Sequence, residues 1–255
     1  MKLEYFDLLS PVPIHIENVG NVKPPTLRDI ASISYYTYSL YLSIMVMTPE
    51  SFFTDLLRQE EYYKNIPDSE KVNLNMFELL TANPDICQLI EKALDFFIEG
   101  TLLYDKDRSG FLVFDSDDEE EQVTGIITKQ NWTEITGMIA QLNFLNIDSP
   151  SDLSKVKSQK ARERLLKMEQ LRPKKNKPNE NLDLANIISA VAGKSENLNL
   201  ITIWDLTVYQ LWDTFKRLNN NHMLGMQSMS VSVWGDKDNR YEADAWYKNY
   251  HNKDN

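Results

Sequence analysis

The chain has 255 residues, 42% hydrophobic and 25% charged, with a mean hydropathy of −0.44. This is globular composition, so an intrinsically disordered chain is excluded, and no apolar run approaches the ~18 residues of a membrane-spanning helix. The net charge of −11 argues against a general nucleic-acid binder. A single cysteine cannot close an internal disulfide and suits a reducing compartment.

The acidic average hides an asymmetry. Residues 155–177 hold ten Lys or Arg against two acids, a local +8 that leaves −19 for the rest. Residues 115–121 hold six acids in seven positions. Such blocks are ordinarily solvated segments, and they can also steer a charged partner. The first residues, Met1 to Asp7, carry acids and no long apolar region, so no secretory signal is expected.

Residues 1–25 read as extended because Pro11 and Pro13 remove donors and restrict their predecessors. Ile14, Ile16, Val19 and Val22 around Asn18 and Gly20 predict a short hairpin. Thr26, with Asp29 three residues on, predicts a helix N-terminus. Ile30, Ile33, Thr37, Leu40 and Ile44 then line one face of a single long helix. Thr48-Pro49-Glu50 and Asn83-Pro84-Asp85 are two further starts, with a polar cap, proline in the first turn and an acid behind it. Leu102–Tyr104 and Phe111–Phe114 predict a second hairpin, Ile126-Ile127 another strand, and residues 131–142 a helix.

Residues 151–180 read as a basic helix running into a Pro- and Lys-rich linker. Beyond it a short helix carries Leu184, Ile187, Ile188 and Val191. The strongest helical pattern starts at Thr202, where Trp204, Val208, Leu211, Phe215 and Leu218 step by 4, 3, 4 and 3. Met223, Met226 and Met229 follow at three-residue spacing. The tail from Trp234 onward is aromatic and polar, with Trp246, Tyr247 and Tyr250 placed on one last helix. The fold class expected is mainly α with small β-hairpin elements (α+β). The expected domains are a multi-helix N-terminal domain over residues 1–150, the basic connector over 151–180 and a small helical C-terminal domain over 181–255.

Several patterns bear on chemistry. Asp105, Asp107, Ser109, Gly110 and Leu112 copy the first eight positions of a calcium loop, but position 12 is Ser116 instead of glutamate and the flanks read as strands. A hairpin turn accounts for the same residues. Cys87 falls in the first turns of the helix after Pro84, where a helix dipole favours thiolate, yet His15, His222 and His251 lie in no nucleophile-base context. The three histidines form no zinc pattern, and no Gly-rich phosphate loop is present. Neither a metal nor a cofactor is therefore expected, and nothing marks an enzyme. The stretch 155–177 could meet phosphates, but it lacks the interleaved aromatics of single-strand binders. The methionines could form an adaptable surface, and core packing explains them as well.

Two stretches carry a family resemblance. In Ile16 to Leu27 a β element leads into a Pro-Thr-capped helix. In Thr202 to Leu211, continuing to Phe215, a Trp-rich helix lies near the end of a small helical part. With the charged middle, this pattern resembles the tail assembly chaperones of tailed phages infecting Gram-positive bacteria, over about a third of the chain. The resemblance implies a non-enzymatic protein of the host cytoplasm, with no membrane or nucleic-acid partner. Its partner would be another protein, a tape measure or tail tube protein, held in apolar grooves. It places the partner surface on Trp204, Val208, Leu211, Phe215, Leu218, Met223, Met226 and Met229, and an electrostatic tether on Lys174, Lys175 and Lys177. It transfers no catalytic residue. A structural virion component (neck, baseplate or capsid-associated protein) is the alternative. A metal-dependent hydrolase or nuclease using Asp105 and Asp107, and a regulator of a host protein, also stay open, as does the oligomeric state.

Overall fold

A computed structural model describes residues 2–115, 122–145, 182–236, 239–249 and 251. It is mainly helical, with a two-stranded and a three-stranded antiparallel sheet. The first element is a helix, α1 (Tyr5–Leu9), where the sequence suggested extended chain. Its Glu4 and Asp7 form a capping box, which closes the turn before the prolines begin. The expected hairpin follows as β1 (Ile14–Ile16) and β2 (Gly20–Val22), with Ile14 opposite Val22.

Thr26 caps α2 (Leu27–Ile33): its hydroxyl accepts from the Asp29 N–H, and the Asp29 carboxylate accepts the Thr26 N–H at 2.9 Å. The long helix expected from here is broken. Ser34 adopts φ 77°, and its hydroxyl caps a new helix, α3 (Tyr35–Met45), by accepting from the Thr37 N–H. A non-glycine residue in this region is strained, so the break separates two helices that the Ile30–Ile44 periodicity joins. The Thr48-Pro49 start gives only a short turn, α4 (Pro49–Ser51), which widens into π-helix over Phe52–Leu56. Three small helices follow, α5 (Glu60–Asn65), α6 (Asp68–Lys71) and α7 (Met76–Thr81).

Helix α8 (Pro84–Phe97) starts as expected, with Asn83 Oδ1 accepting from the Asp85 and Ile86 N–H groups. Cys87, Ile90, Ala93, Leu94 and Phe97 form its buried stripe. Against it lies the sheet β3 (Thr101–Asp105), β4 (Gly110–Phe114) and β5 (Val123–Ile127), in the order β3-β4-β5. The open edge of β3 is occupied by α8: Asp95 accepts the Leu102 N–H at 2.7 Å and Glu91 the Tyr104 N–H at 2.8 Å. These carboxylates block edge-to-edge pairing. Burial raises the Asp95 pKa, and the Leu102 N–H opposes the rise.

Gly125 lets the two sheets touch. A Cβ there would stand 2.7 Å from the Val19 carbonyl and 2.8 Å from that of Asn18, which accepts the Ile126 N–H. Helix α9 (Trp132–Leu142) matches the expectation within a residue. Helix α10 (Leu184–Lys194) buries the expected Leu184, Ile187, Ile188 and Val191. One hydrophobic cluster contains these residues together with Val22, Ile30, Phe97 and Ile139 from earlier in the chain. The connector over 151–180, with the domain boundary placed in it, lies outside the described residues.

Candidate protein-binding surface

The surface is built on α11 (Val208–Trp234), the longest helix among the described residues. The sequence placed its start at Thr202. Residues Ile203–Asp205 instead make one 3₁₀ turn, and Asp205 is ion-paired to Arg28 at 2.7 Å. The helix begins six residues later, on a capping box between Thr207 and Gln210. Thr207 is fully buried and bridges to Thr26, while Leu206 O accepts the Leu27 N–H at 2.9 Å. Two helix starts are thus stitched together, which fixes the direction in which α11 leaves the core.

The first three turns of α11 belong to that core. Val208, Tyr209 and Leu211 are buried, and Trp212, Phe215 and Leu218 pack against them. Phe144 stacks on Trp212 at 5.6 Å. A polar bracket holds the same segment to α1. Tyr5 donates to Asp213 at 2.8 Å and accepts from Arg217 at 2.6 Å, and Arg217 Nε donates to Asp213 at 2.9 Å. Burial raises the Tyr5 pKa, and the Tyr5 hydrogen bond is the main cause of a raised Arg217 pKa. Gln210 adds a bond to the Leu9 carbonyl at 2.8 Å.

Of the seam residues expected to meet a partner, Val208 and Leu211 therefore face the chain's own core, and Trp204, Phe215 and Leu218 are half-buried against it. Trp204 also donates its indole N–H to the Leu200 carbonyl. The methionines differ. Met223 is 49% exposed, Met226 55% and Met229 72%, and the helix continues with Val233 at 69% and Trp234 at 77%. At about 100° per residue, Met223, Met226, Val233 and Trp234 share an arc of roughly 100°, with Met229 at its margin. Residues 218–235 contain no Asp, Glu, Lys or Arg.

The opposite face of this segment is occupied. Asn221, Leu224, Gly225 and Ser228 line an open groove walled by Tyr241 and Trp246 of the tail. Gly235, at φ 74°, ends the helix, and Asp236 turns the chain back by accepting the Arg240 and Tyr241 N–H groups. Those N–H groups hold its carboxyl below the usual range. Lys248 pairs with Glu242. His251 stacks on Tyr5 at 5.5 Å and lies within hydrogen-bond distance of the Tyr209 hydroxyl. The last helix expected over Trp246, Tyr247 and Tyr250 is a single 3₁₀ turn at Ala245–Tyr247, and Tyr250 lies outside the described residues.

The remaining candidates are dispersed. Asp105 Oδ1 accepts the Asp107 and Arg108 N–H groups across the β3–β4 turn, so that carboxylate shapes the hairpin. Cys87 is buried, and burial pushes its thiol up to about 11, far from a nucleophile's range. His15 pairs with Asn21 on the small hairpin, while His222 and His251 lie on α11 and the tail. Among the described residues no group of three His, Cys, Asp or Glu side chains could hold a metal ion, and no helix is long and apolar enough to cross a membrane. Lys174, Lys175 and Lys177 lie outside the described residues.

Residues 174–251 match the family model described as the YomV second domain, a phage-encoded family. No curated protein and no solved structure matches the chain. The matched stretch takes in α10, α11 and the tail, so the part of the chain that carries the exposed methionine face is the part similar to a phage protein domain.

Proposed function

We propose that the protein is a non-enzymatic tail assembly chaperone. It acts in the host cytoplasm and covers apolar helical segments of the tape measure protein with the distal half of α11. The observation that carries this reading is the uncharged, exposed face of Met223, Met226, Met229, Val233 and Trp234. Large exposed apolar patches on soluble proteins mark interaction sites. Methionine suits a chaperone because its flexible, polarizable side chain conforms to many apolar shapes. A tape measure protein offers successive apolar helical stripes and not one fixed epitope, so helix-to-helix contact of moderate strength is what the task needs. The net charge of −11 keeps the loaded complex soluble. Lys174, Lys175 and Lys177 act as a tether for acidic stretches of the same partner.

Deletion of the C-terminal part would be a poor test, because Leu184, Val191, Val208 and Leu211 belong to the shared hydrophobic cluster. Point changes on the exposed face avoid that. The full chain should retain tape measure fragments, and the combined variant Met223→Ser, Met226→Ser, Met229→Ser should lose them with an unchanged melting temperature. Retention by that variant overturns the reading. Mass spectrometry of purified particles separates the chaperone from a virion component: a chaperone is present in infected-cell lysate and absent from particles.

A further inference from the structure

We infer that the distal half of α11 carries a reversible oxidation switch: a peroxide converts Met223, Met226 and Met229 to methionine sulfoxides, and the oxidised face releases its apolar partner. The switch takes that partner from the chaperone reading and so rests on it. The choice of residues stands without it.

The placement of sulfur selects these three side chains. The chain has nine methionines and one cysteine. Met45 of α3 and Met138 of α9 are buried, and Met47 and Met76 are half-buried against the core. Met1 and Met168 lie outside the described residues. The exposed methionines among the described residues are Met223, Met226 and Met229. An oxidant must reach the sulfur, so susceptibility follows exposure. Cys87 does not compete, because it is buried and its thiol is pushed up to about 11, which leaves little of the reactive thiolate at neutral pH.

The step balances with no other side chain taking part. The thioether sulfur attacks one oxygen of hydrogen peroxide, the S–O bond forms and the O–O bond breaks. Sulfur gives up two electrons, and the second oxygen leaves as water with both protons. A methionine sulfoxide reductase reverses the change. It takes two electrons and two protons from a dithiol, which becomes a disulfide, and releases the oxygen as water. The exposure that admits the peroxide also admits that enzyme.

The three sulfurs recur about 4.5 Å apart along the helix axis, so oxidation alters roughly 9 Å of the face. Each gains an oxygen that accepts hydrogen bonds, and a flexible apolar side chain becomes a polar one. Residues 218–235 contain no Lys or Arg to pair with it, and an apolar helical stripe brings no donor. Docking would then bury unpaired acceptors that water satisfies in the free protein. The fold is spared, since none of the three belongs to the hydrophobic cluster or packs against it.

Hydrogen peroxide treatment of the full chain, quenched with catalase and read by peptide mass spectrometry, should add oxygen to Met223, Met226 and Met229 at least about tenfold faster than to Met45 and Met138. The melting temperature should not change. Affinity for tape measure fragments should fall at least about tenfold, and reductase with a dithiol should restore it. The combined variant Met223→Leu, Met226→Leu, Met229→Leu keeps the face apolar and should hold the fragments equally before and after peroxide. Retention on a phenyl matrix needs no biological partner: peroxide should weaken it for the native chain and not for the leucine variant. A native chain that ignores the fragments but shows the selective uptake and the weaker phenyl retention defeats the chaperone reading alone. Uptake at Met138 as fast as on α11, fragment affinity or phenyl retention unchanged after full oxidation of the three sulfurs, equal losses in the leucine variant, or no recovery under reductase overturns the switch.

Discussion

The two halves of α11 are one continuous helix under opposite conditions. Up to Leu218 its apolar side chains enter or pack against the core, and a bracket of Tyr5, Asp213 and Arg217 holds it to α1. After Leu218 the side chains of Met223, Met226, Met229, Val233 and Trp234 are exposed, and the tail lines a groove on the other face at Leu224, Gly225 and Ser228. Both halves carry large apolar side chains, so the presence of an apolar stripe does not distinguish them. The difference is whether the rest of the chain supplies a covering surface. An apolar face that its own fold leaves bare is the part available to another molecule.

That contrast can be broken most forcefully from the buried side. Leu211→Ala should destabilise the fold by about 2–5 kcal/mol, read from chemical denaturation midpoints. Thr207→Ala removes the cap from a fully buried position and should cost about 1–2 kcal/mol. Tyr5→Phe deletes the hydroxyl between Asp213 and Arg217. It should cost about 1 kcal/mol, and removal of Arg217 should cost less in the Tyr5→Phe background than in the native chain, since the two groups are coupled. On the exposed side, Met223→Ala and Met226→Ala should each change stability by no more than about 0.5 kcal/mol. A fall in melting temperature from either methionine comparable to that of Leu211→Ala would show that the distal half is core after all.

Much of the architecture was legible from local chemistry. Thr26, Asn83, the Asn18–Gly20 turn and the Asp105–Gly110 turn all do what their residue types imply, because caps and tight turns are decided within a few residues. Failures occurred where distant contacts decide. Thr202-x-x-Asp205 and Thr207-x-x-Gln210 are similar start signals. The second prevails because Asp205 is engaged by Arg28 and Leu206 by Leu27, both from the other end of the chain. Ser34 breaks a helix that the apolar period carries through, since periodicity does not register a left-handed residue. The seam from Trp204 to Leu218 was visible as an apolar stripe, but spacing alone cannot tell whether its own chain or a foreign one covers it. The missed members of the exposed face, Val233 and Trp234, were detectable as the continuation of the methionine arc inside a charge-free stretch.

Hydrogen exchange along α11 tests the division of this helix most directly. The account predicts that amides around Leu211 exchange only through global unfolding. Those from Met223 to Trp234 should exchange through local opening many times faster and slow selectively when a tape measure fragment is added. Equal protection along the whole helix, or a fragment that slows no distal amide, would contradict it.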